Sequence, residues 1–75
     1  MAKFYFDLCR DGEKIVDQEG MHFENIGFAY RKAKQMVELL RQEQMRGRYP
    51  VCSSWVEVQY SDRSTIFKLP VVAAA

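Results

Sequence analysis

The sequence predicts an α+β domain of two layers: an antiparallel sheet of about four strands, in the chain order β-β-α-β-β, covered on one face by a single long amphipathic helix. Two segments in which apolar residues alternate, each interrupted by a turn, predict two hairpins. The segment between them carries apolar side chains at three- and four-residue spacing. At 75 residues the chain is long enough for one domain only. We assign residues 1–72 to that domain and residues 73–75 to a disordered tail or a cloning remnant.

The first hairpin is predicted by an aromatic-rich strand followed by a glycine turn. In residues 3–9, aromatic and aliphatic side chains alternate with polar or smaller ones, which is typical of a strand. Asp11 and Gly12 favour a two-residue turn, because glycine accepts a positive φ. A turn at that point would pair Leu8 with Ile15 and keep both on one face of the sheet. Residues 21–23 could add a short extended segment.

The helix is predicted from about residue 26 to about residue 46. Asn25 is a suitable N-cap, and Gly47 is well placed to end the helix in a left-handed turn. One apolar stripe is formed by Ile26, Ala29, Tyr30, Ala33, Val37 and Leu40, with Met36 at its edge. Residues 41–46 are nearly all polar, so we expect the last two turns to overhang the sheet and fray, or to be held by a partner.

The second hairpin is predicted from residues 55–60 and 65–69, joined by a turn at residues 61–64. Pro70 then stops the ladder or marks an edge strand, because proline has no N–H to donate. The helix stripe is the one available cover for the apolar sheet face. That face carries Phe4, Phe6, Leu8, Ile15, Val56, Val58, Phe67 and Leu69.

The opposite sheet face is expected to be exposed and partly apolar. It would carry Tyr5, Cys9, Val16, Trp55 and Ile66 among Asp7, Glu57, Gln59 and Lys68. Exposed aromatic and aliphatic patches commonly mark an interface, and Trp and Tyr are frequent binding anchors. The candidate protein interface is therefore Tyr5, Val16, Trp55 and Ile66. Self-association through this face or an edge strand, binding of a foreign partner, and simple tolerance of scattered apolar residues all stay open.

The charge distribution is dipolar although the net charge is only +1. Residues 1–25 carry a net −3 and residues 26–50 a net +4. The candidate anion or nucleic-acid contacts are Arg31, Lys32, Lys34, Arg41, Arg46 and Arg48. A basic helix could follow phosphates, but an ordinary solvated helix face explains the same pattern. On the sheet face, Asp7 and Glu57 would repel phosphates.

Catalytic, metal and cofactor sites are not predicted. His22 is the single histidine, and neither Cys9 nor Cys52 has a neighbour that would activate its thiol. The two cysteines form no metal-binding pair, and the acidic residues of the first hairpin are typical of a solvated turn more than of a divalent-ion site. We expect free thiols, no enzyme activity, no membrane segment and a cytoplasmic location, since no secretory signal is visible.

The first hairpin resembles a family of short bacterial proteins known only as a domain of unknown function. The similarity lies in an aromatic strand ending in Asp (residues 5–7), an Asp-Gly turn (residues 11–12) and an Ile-x-Asp-x-Glu-Gly segment (residues 15–20). It implies the fold outline and a bacterial cytosolic setting, and it supplies no activity. In overall plan the chain is also similar to the N-terminal domains of HicB-type antitoxins, which favours a small partner-binding regulator.

The function that the sequence favours is a small, non-enzymatic interaction or regulatory module. We expect it to act through the exposed sheet face, as a homodimer or with a small protein partner. The alternative is a nucleic-acid-binding module that uses the basic face of the helix.

Overall fold

The computed structural model describes residues 1–47 and 53–71. Within these residues the chain forms five strands and one helix: β1 (Ala2–Arg10), β2 (Glu13–Ile15), β3 (Met21–Phe23), α1 (Ile26–Met45), β4 (Ser54–Gln59) and β5 (Thr65–Pro70). The sheet is antiparallel in the order β2-β1-β4-β5, and β3 also pairs with β1. The predicted α+β fold is confirmed, with one strand more than the four expected. Arg48, Cys52 and residues 73–75 lie outside the described residues.

The additional strand β3 arises because the return arm of the first hairpin is interrupted by a bulge. Leu8 pairs with Ile15, as predicted, and Phe4 pairs with Met21. The two pairings lie four positions apart on β1 and six apart on the return arm, so the return arm holds two extra residues. β2 and β3 are thus two parts of one arm that runs along the same edge of β1.

The bulge is held by Asp17 and Gly20. The carboxylate of Asp17 accepts hydrogen bonds from the backbone N–H groups of Phe6 (3.1 Å), Glu19 (3.2 Å) and Gly20 (3.0 Å). Gly20 has a φ of +72°, and a Cβ there would lie 2.9 Å from the backbone oxygen of Phe4. The Asp and the Gly of the Ile-x-Asp-x-Glu-Gly segment therefore both have structural roles. Asp17 accepts hydrogen bonds from backbone N–H groups that have no strand partner, and Gly20 allows the return arm to approach the backbone of β1 closely.

The core lies between the sheet and α1. It consists of Phe4, Phe6, Ala29, Ala33, Val56 and Val58. α1 packs across β4, β5 and β3, and its Tyr30 ring meets Phe67 of β5 edge-to-face at 5.4 Å. The stripe is buried most fully at Ala29 and Ala33, whereas Ile26 and Tyr30 are more exposed than the sequence predicts. Ile15 of β2, which the sequence predicts to lie under the helix, is 49% exposed, so that side of the sheet is left open.

Both ends of α1 are capped as the sequence predicts. Asn25 Oδ1 accepts from the N–H of Phe28 at 3.3 Å, and Gly47 has a φ of +74° with its N–H donated to the carbonyl of Gln44. The expectation that the last turns overhang the sheet needs correction at Gln44, which is buried. One polar side chain of the final turn therefore belongs to the covered face of the helix.

The outer edge strand β5 is poorly suited to pairing with another chain. The N–H of Val71 is donated to the carbonyl of Ser54, so the alternation of an antiparallel pair turns the nitrogen of Pro70 away from β4. Proline offers no donor there, Lys68 places a charge on the strand, and Ile66 forms a bulge in β5 opposite Val58 and Gln59. All three features are ways in which natural sheets block edge-to-edge association.

Candidate functional site: an outer-face network and a helix-side groove

The face of the sheet turned away from α1 carries a charged network over buried acidic groups. Asp7, Gln59 and Glu57 are only 1%, 3% and 7% exposed. The sequence placed these three side chains among exposed residues, which is wrong. The cations Lys14, Arg63 and Lys68 extend over them and shield them from solvent. We call Asp7, Lys14, Asp17, Glu57, Gln59 and Arg63 the outer-face network.

Asp7 is the centre of this network. Its Oδ1 accepts a hydrogen bond of 2.8 Å from the backbone N–H of Asp17, and its Oδ2 accepts one of 2.9 Å from Gln59 Nε2. Arg63 Nη1 and Lys14 Nζ lie 3.4 and 3.5 Å from the same carboxylate. A buried carboxylate is costly unless its oxygens accept hydrogen bonds, so these contacts serve the fold.

Glu57 is held in the same way. Its Oε2 accepts from Lys14 Nζ at 2.8 Å and from Gln59 Nε2 at 2.6 Å. The hydrogen bond from Lys14 lowers the pKa of Glu57 and correspondingly raises the pKa of Lys14. Both residues are thus charged at neutral pH and neutralise each other, which leaves little field for an anionic ligand.

Arg63 closes the network over Tyr5. Its guanidinium carbon lies 3.6 Å from the centroid of the Tyr5 ring, and Nη2 donates to the carbonyl of Asp17 at 2.9 Å. Arg63 also has a φ of +72°, a conformation that is unfavourable for a residue with a Cβ. These contacts cover the tyrosine that the sequence predicts as an interface anchor.

The structure separates the four predicted interface residues. Tyr5 lies under Arg63, and Trp55 is half-buried with Lys68 Nζ 5.8 Å from its ring. Ile66 packs against the core, contrary to its predicted place on the outer face. The bulge explains this: Val58 pairs with Phe67 and Gln59 with Thr65, so Ile66 falls between two pairs and the alternation breaks there.

Val16 is the exposed member of that set, and it borders a groove that the sequence did not predict. The groove lies between the β2–β3 arm and α1 and has a volume of about 450 Å³. Its apolar lining is Phe6, Leu8, Ile15, Val16, Met21 and Met36. Ile15 and Val16 are each 49% exposed and Met21 is 42% exposed. We call this surface the helix-side groove; the adjacent apolar residues Ile15 and Val16 were its one signal in the sequence.

The rims of the helix-side groove carry opposite charges. Asp17 and Glu19 lie on the strand rim, and Lys32 lies on the helix rim. Asp17 is occupied with the backbone of the bulge. Within residues 1–47 and 53–71, the structure shows no ion pair that involves Glu19 or Lys32.

The cations of α1 do not form one stripe. At about 100° per residue, Lys34 and Arg41 lie on one flank of the helix and Lys32 on the other. Arg41 is paired with Glu38 at 2.7 Å, and Arg46 Nη1 lies 3.8 Å from Glu43. Arg31 lies over the ring of Phe28 and Lys34 over that of Tyr30, each at 5.6 Å. Those of the predicted nucleic-acid contacts that lie within the described residues are thus distributed around the helix.

The residues considered for catalysis lie apart. His22 pairs with Lys3 on β1, and Cys9 is six positions further along that strand, which corresponds to about 20 Å. Burial raises the pKa of the Cys9 thiol and keeps it protonated at neutral pH. Within the described residues, no group of three or more His, Cys, Asp or Glu side chains is arranged to hold a metal ion.

These features define a small α+β domain with one helix on an antiparallel sheet, a neutralised outer face and an apolar groove beside the helix. The chain belongs to the family described as a domain of unknown function (DUF6894), whose sequence profile matches residues 3–73. The predicted resemblance to a family without an assigned activity is confirmed. No curated protein and no solved structure matched the chain. Among the described residues, no helix has both the length and the apolar character needed to cross a membrane.

Proposed function

We propose that this chain is a small protein-interaction module and that the helix-side groove is its docking surface. One observation carries the proposal: Ile15, Val16 and Met21 form a contiguous exposed apolar surface that continues into a concave groove. Contiguous exposed apolar patches commonly mark interaction sites. Methionine at such surfaces adapts to the shape of its partner.

The outer face of the sheet and the β5 edge support this choice because they are less suited to docking. The carboxylates of Asp7 and Glu57 already accept hydrogen bonds from lysine, arginine and glutamine side chains, so a partner there would have to replace satisfied contacts. The β5 edge ends in a proline and carries Lys68. The groove offers apolar area without such a cost.

Site-specific photo-crosslinking in the producing cells tests the proposal. A photo-reactive phenylalanine analogue replaces Val16 in one variant and Ser61, in the exposed β4–β5 turn, in a matched control. We expect discrete protein adducts from position 16 and none from position 61. No adduct from position 16, or the same adducts from both positions, would refute docking at the groove.

Nucleic-acid binding by α1 is the second proposal and has weaker support, because its cations are divided between flanks and Arg41 is paired with Glu38. Titration with labelled RNA and DNA at two salt concentrations tests it. If the cations contact phosphates, the affinity for nucleic acid should fall steeply as the salt concentration rises. No salt-dependent binding would refute nucleic-acid binding by α1.

A further inference from the structure

We infer that the occupant of the helix-side groove is a second copy of this chain, docked about a two-fold axis so that Lys32 of each copy faces Glu19 of the other. The inference rests on the proposed function of the groove and adds the identity of the partner. It is carried by the charges on the two rims and by the apolar surface between them.

The rim charges are complementary across a two-fold axis. In a two-fold interface the same patch is used by both subunits, and with the axis running along the groove the strand rim of one copy meets the helix rim of the other. Glu19 is exposed on the first rim and Lys32 is partly exposed on the second. Opposed in this way, they form two symmetry-related ion pairs, whereas a groove with equal charges on both rims would repel its own copy.

Residues of the same copy do not satisfy the rim charges: the structure shows no ion pair at Glu19 or Lys32 within residues 1–47 and 53–71. A second copy supplies both missing partners at once.

The apolar surface extends along the helix beyond the groove. Met36 lines the groove, and Leu39, three residues further on, is 62% exposed. Residues three apart are neighbours on a helix surface, so these side chains form one flank. In the two-fold arrangement this flank and the Ile15–Val16–Met21 surface cover their counterparts in the other copy.

Sedimentation equilibrium of the purified chain over a wide concentration range tests the inference directly. We expect a reversible monomer–dimer equilibrium. Met21→Lys places a charge in the groove and should abolish the dimer. Met45→Lys is the matched control, because Met45 is also an exposed methionine but lies at the C-terminal end of α1. A dimer that persists in Met21→Lys, or is lost equally in Met45→Lys, would overturn the inference.

A charge exchange tests the rim pairing. Lys32→Glu and Glu19→Lys should each weaken the dimer about tenfold, because each change turns two symmetry-related attractions into repulsions. The double variant should restore most of the affinity, and a non-additive result of this kind reports direct interaction. Circular dichroism melts of all variants show whether the fold is retained. If both single variants dimerise as the unmodified chain does, the arrangement is wrong.

The two proposals fail in different ways. A chain that stays monomeric, but forms adducts with another protein from position 16, would overturn the second copy as occupant and leave the groove as a docking surface. A chain without adducts at position 16 that still dimerises would overturn both proposals, because the dimer would then use another face.

Discussion

The carboxylate of Asp7 accepts a 2.8 Å hydrogen bond from the backbone N–H of Asp17, ten residues further along the chain. Asp17 in turn accepts from the N–H of Phe6, the residue before Asp7. The two acids of the first hairpin thus hold β1 and the bulge together by exchanging side-chain and backbone contacts. Two neighbouring carboxylates are a common arrangement in catalytic and metal-binding sites. Here, however, each carboxylate accepts hydrogen bonds from backbone N–H groups.

Asp17 is expected to be a major contributor to stability. Asp17→Ala leaves three backbone N–H groups without their acceptor, and we expect the free energy of unfolding to fall by about 2 kcal/mol. Glu19→Ala, at an exposed neighbouring position, should change it by less than about 0.5 kcal/mol. Urea denaturation followed by circular dichroism gives both values. Equal effects of the two substitutions would contradict the assigned role.

Stability is expected to fall in acid. Burial by itself would raise the pKa of Asp17, but hydrogen bonds from three backbone N–H groups and the charge of Arg63 lower it below its ordinary value. The hydrogen bond from Lys14 likewise lowers the pKa of Glu57. Each folded carboxyl binds its proton more weakly than the unfolded one. The stabilisation is therefore complete above the ordinary pKa of about 4 and is lost as pH falls through the lower folded pKa.

Glu57→Gln measures the share of this acid sensitivity that comes from Glu57. We expect the free energy of unfolding of this variant to depend less on pH, between about pH 5 and about pH 2, than that of the unmodified chain. Urea titrations at several pH values provide the comparison. An identical pH dependence in both proteins would show that Glu57 does not contribute.

Gly20 and Gly12 offer a matched test of the close approach at the bulge. Both have a positive φ, but a Cβ at Gly20 would lie 2.9 Å from the carbonyl oxygen of Phe4, whereas nothing lies within 4 Å of one at Gly12. Gly12→Ala should cost about 1 kcal/mol for the backbone conformation alone. Gly20→Ala should cost at least about 2 kcal/mol, since the strand must also shift. Thermal and urea unfolding decide whether the second loss exceeds the first.

Arg63 combines a favourable side chain with an unfavourable backbone. Arg63→Ala loses the stacking on Tyr5 and the hydrogen bond to Asp17 but keeps a Cβ at a φ of +72°. Arg63→Gly loses the same contacts and relieves the backbone. We therefore expect the glycine variant to be more stable than the alanine variant by about 1 kcal/mol, because both lose the same contacts and only glycine relieves the backbone. An alanine variant as stable as the glycine variant would show that this conformation is not strained.

Local patterns in the sequence predicted most of the secondary structure. Alternation predicted the strands, the Asp11–Gly12 turn predicted the register of Leu8 with Ile15, and Asn25 and Gly47 marked the ends of the helix. Each of these features depends on residues within a few positions of one another, which is the range over which turn, cap and periodicity rules apply. The motif of the first hairpin also indicated the family that residues 3–73 match.

The candidate sites depended on contacts between distant parts of the chain. Asp7 is buried because Gln59 and Arg63, more than 50 residues away, donate to it. Ile66 turns to the core because a bulge interrupts its pairing with β4. Neither effect leaves a local signal, since alternation predicts a face for each residue but not what covers that face.

By itself, then, the sequence determined the elements of this protein, their ends and its family, because short-range backbone and side-chain preferences decide those features. The tertiary structure decided which surfaces are available. It brought the cations of β2 and of the β4–β5 turn over the carboxylates of the outer face, which neutralised the face that the sequence favoured as an interface. It also laid α1 across β4, β5 and β3, and the side of the sheet that α1 does not cover became the helix-side groove.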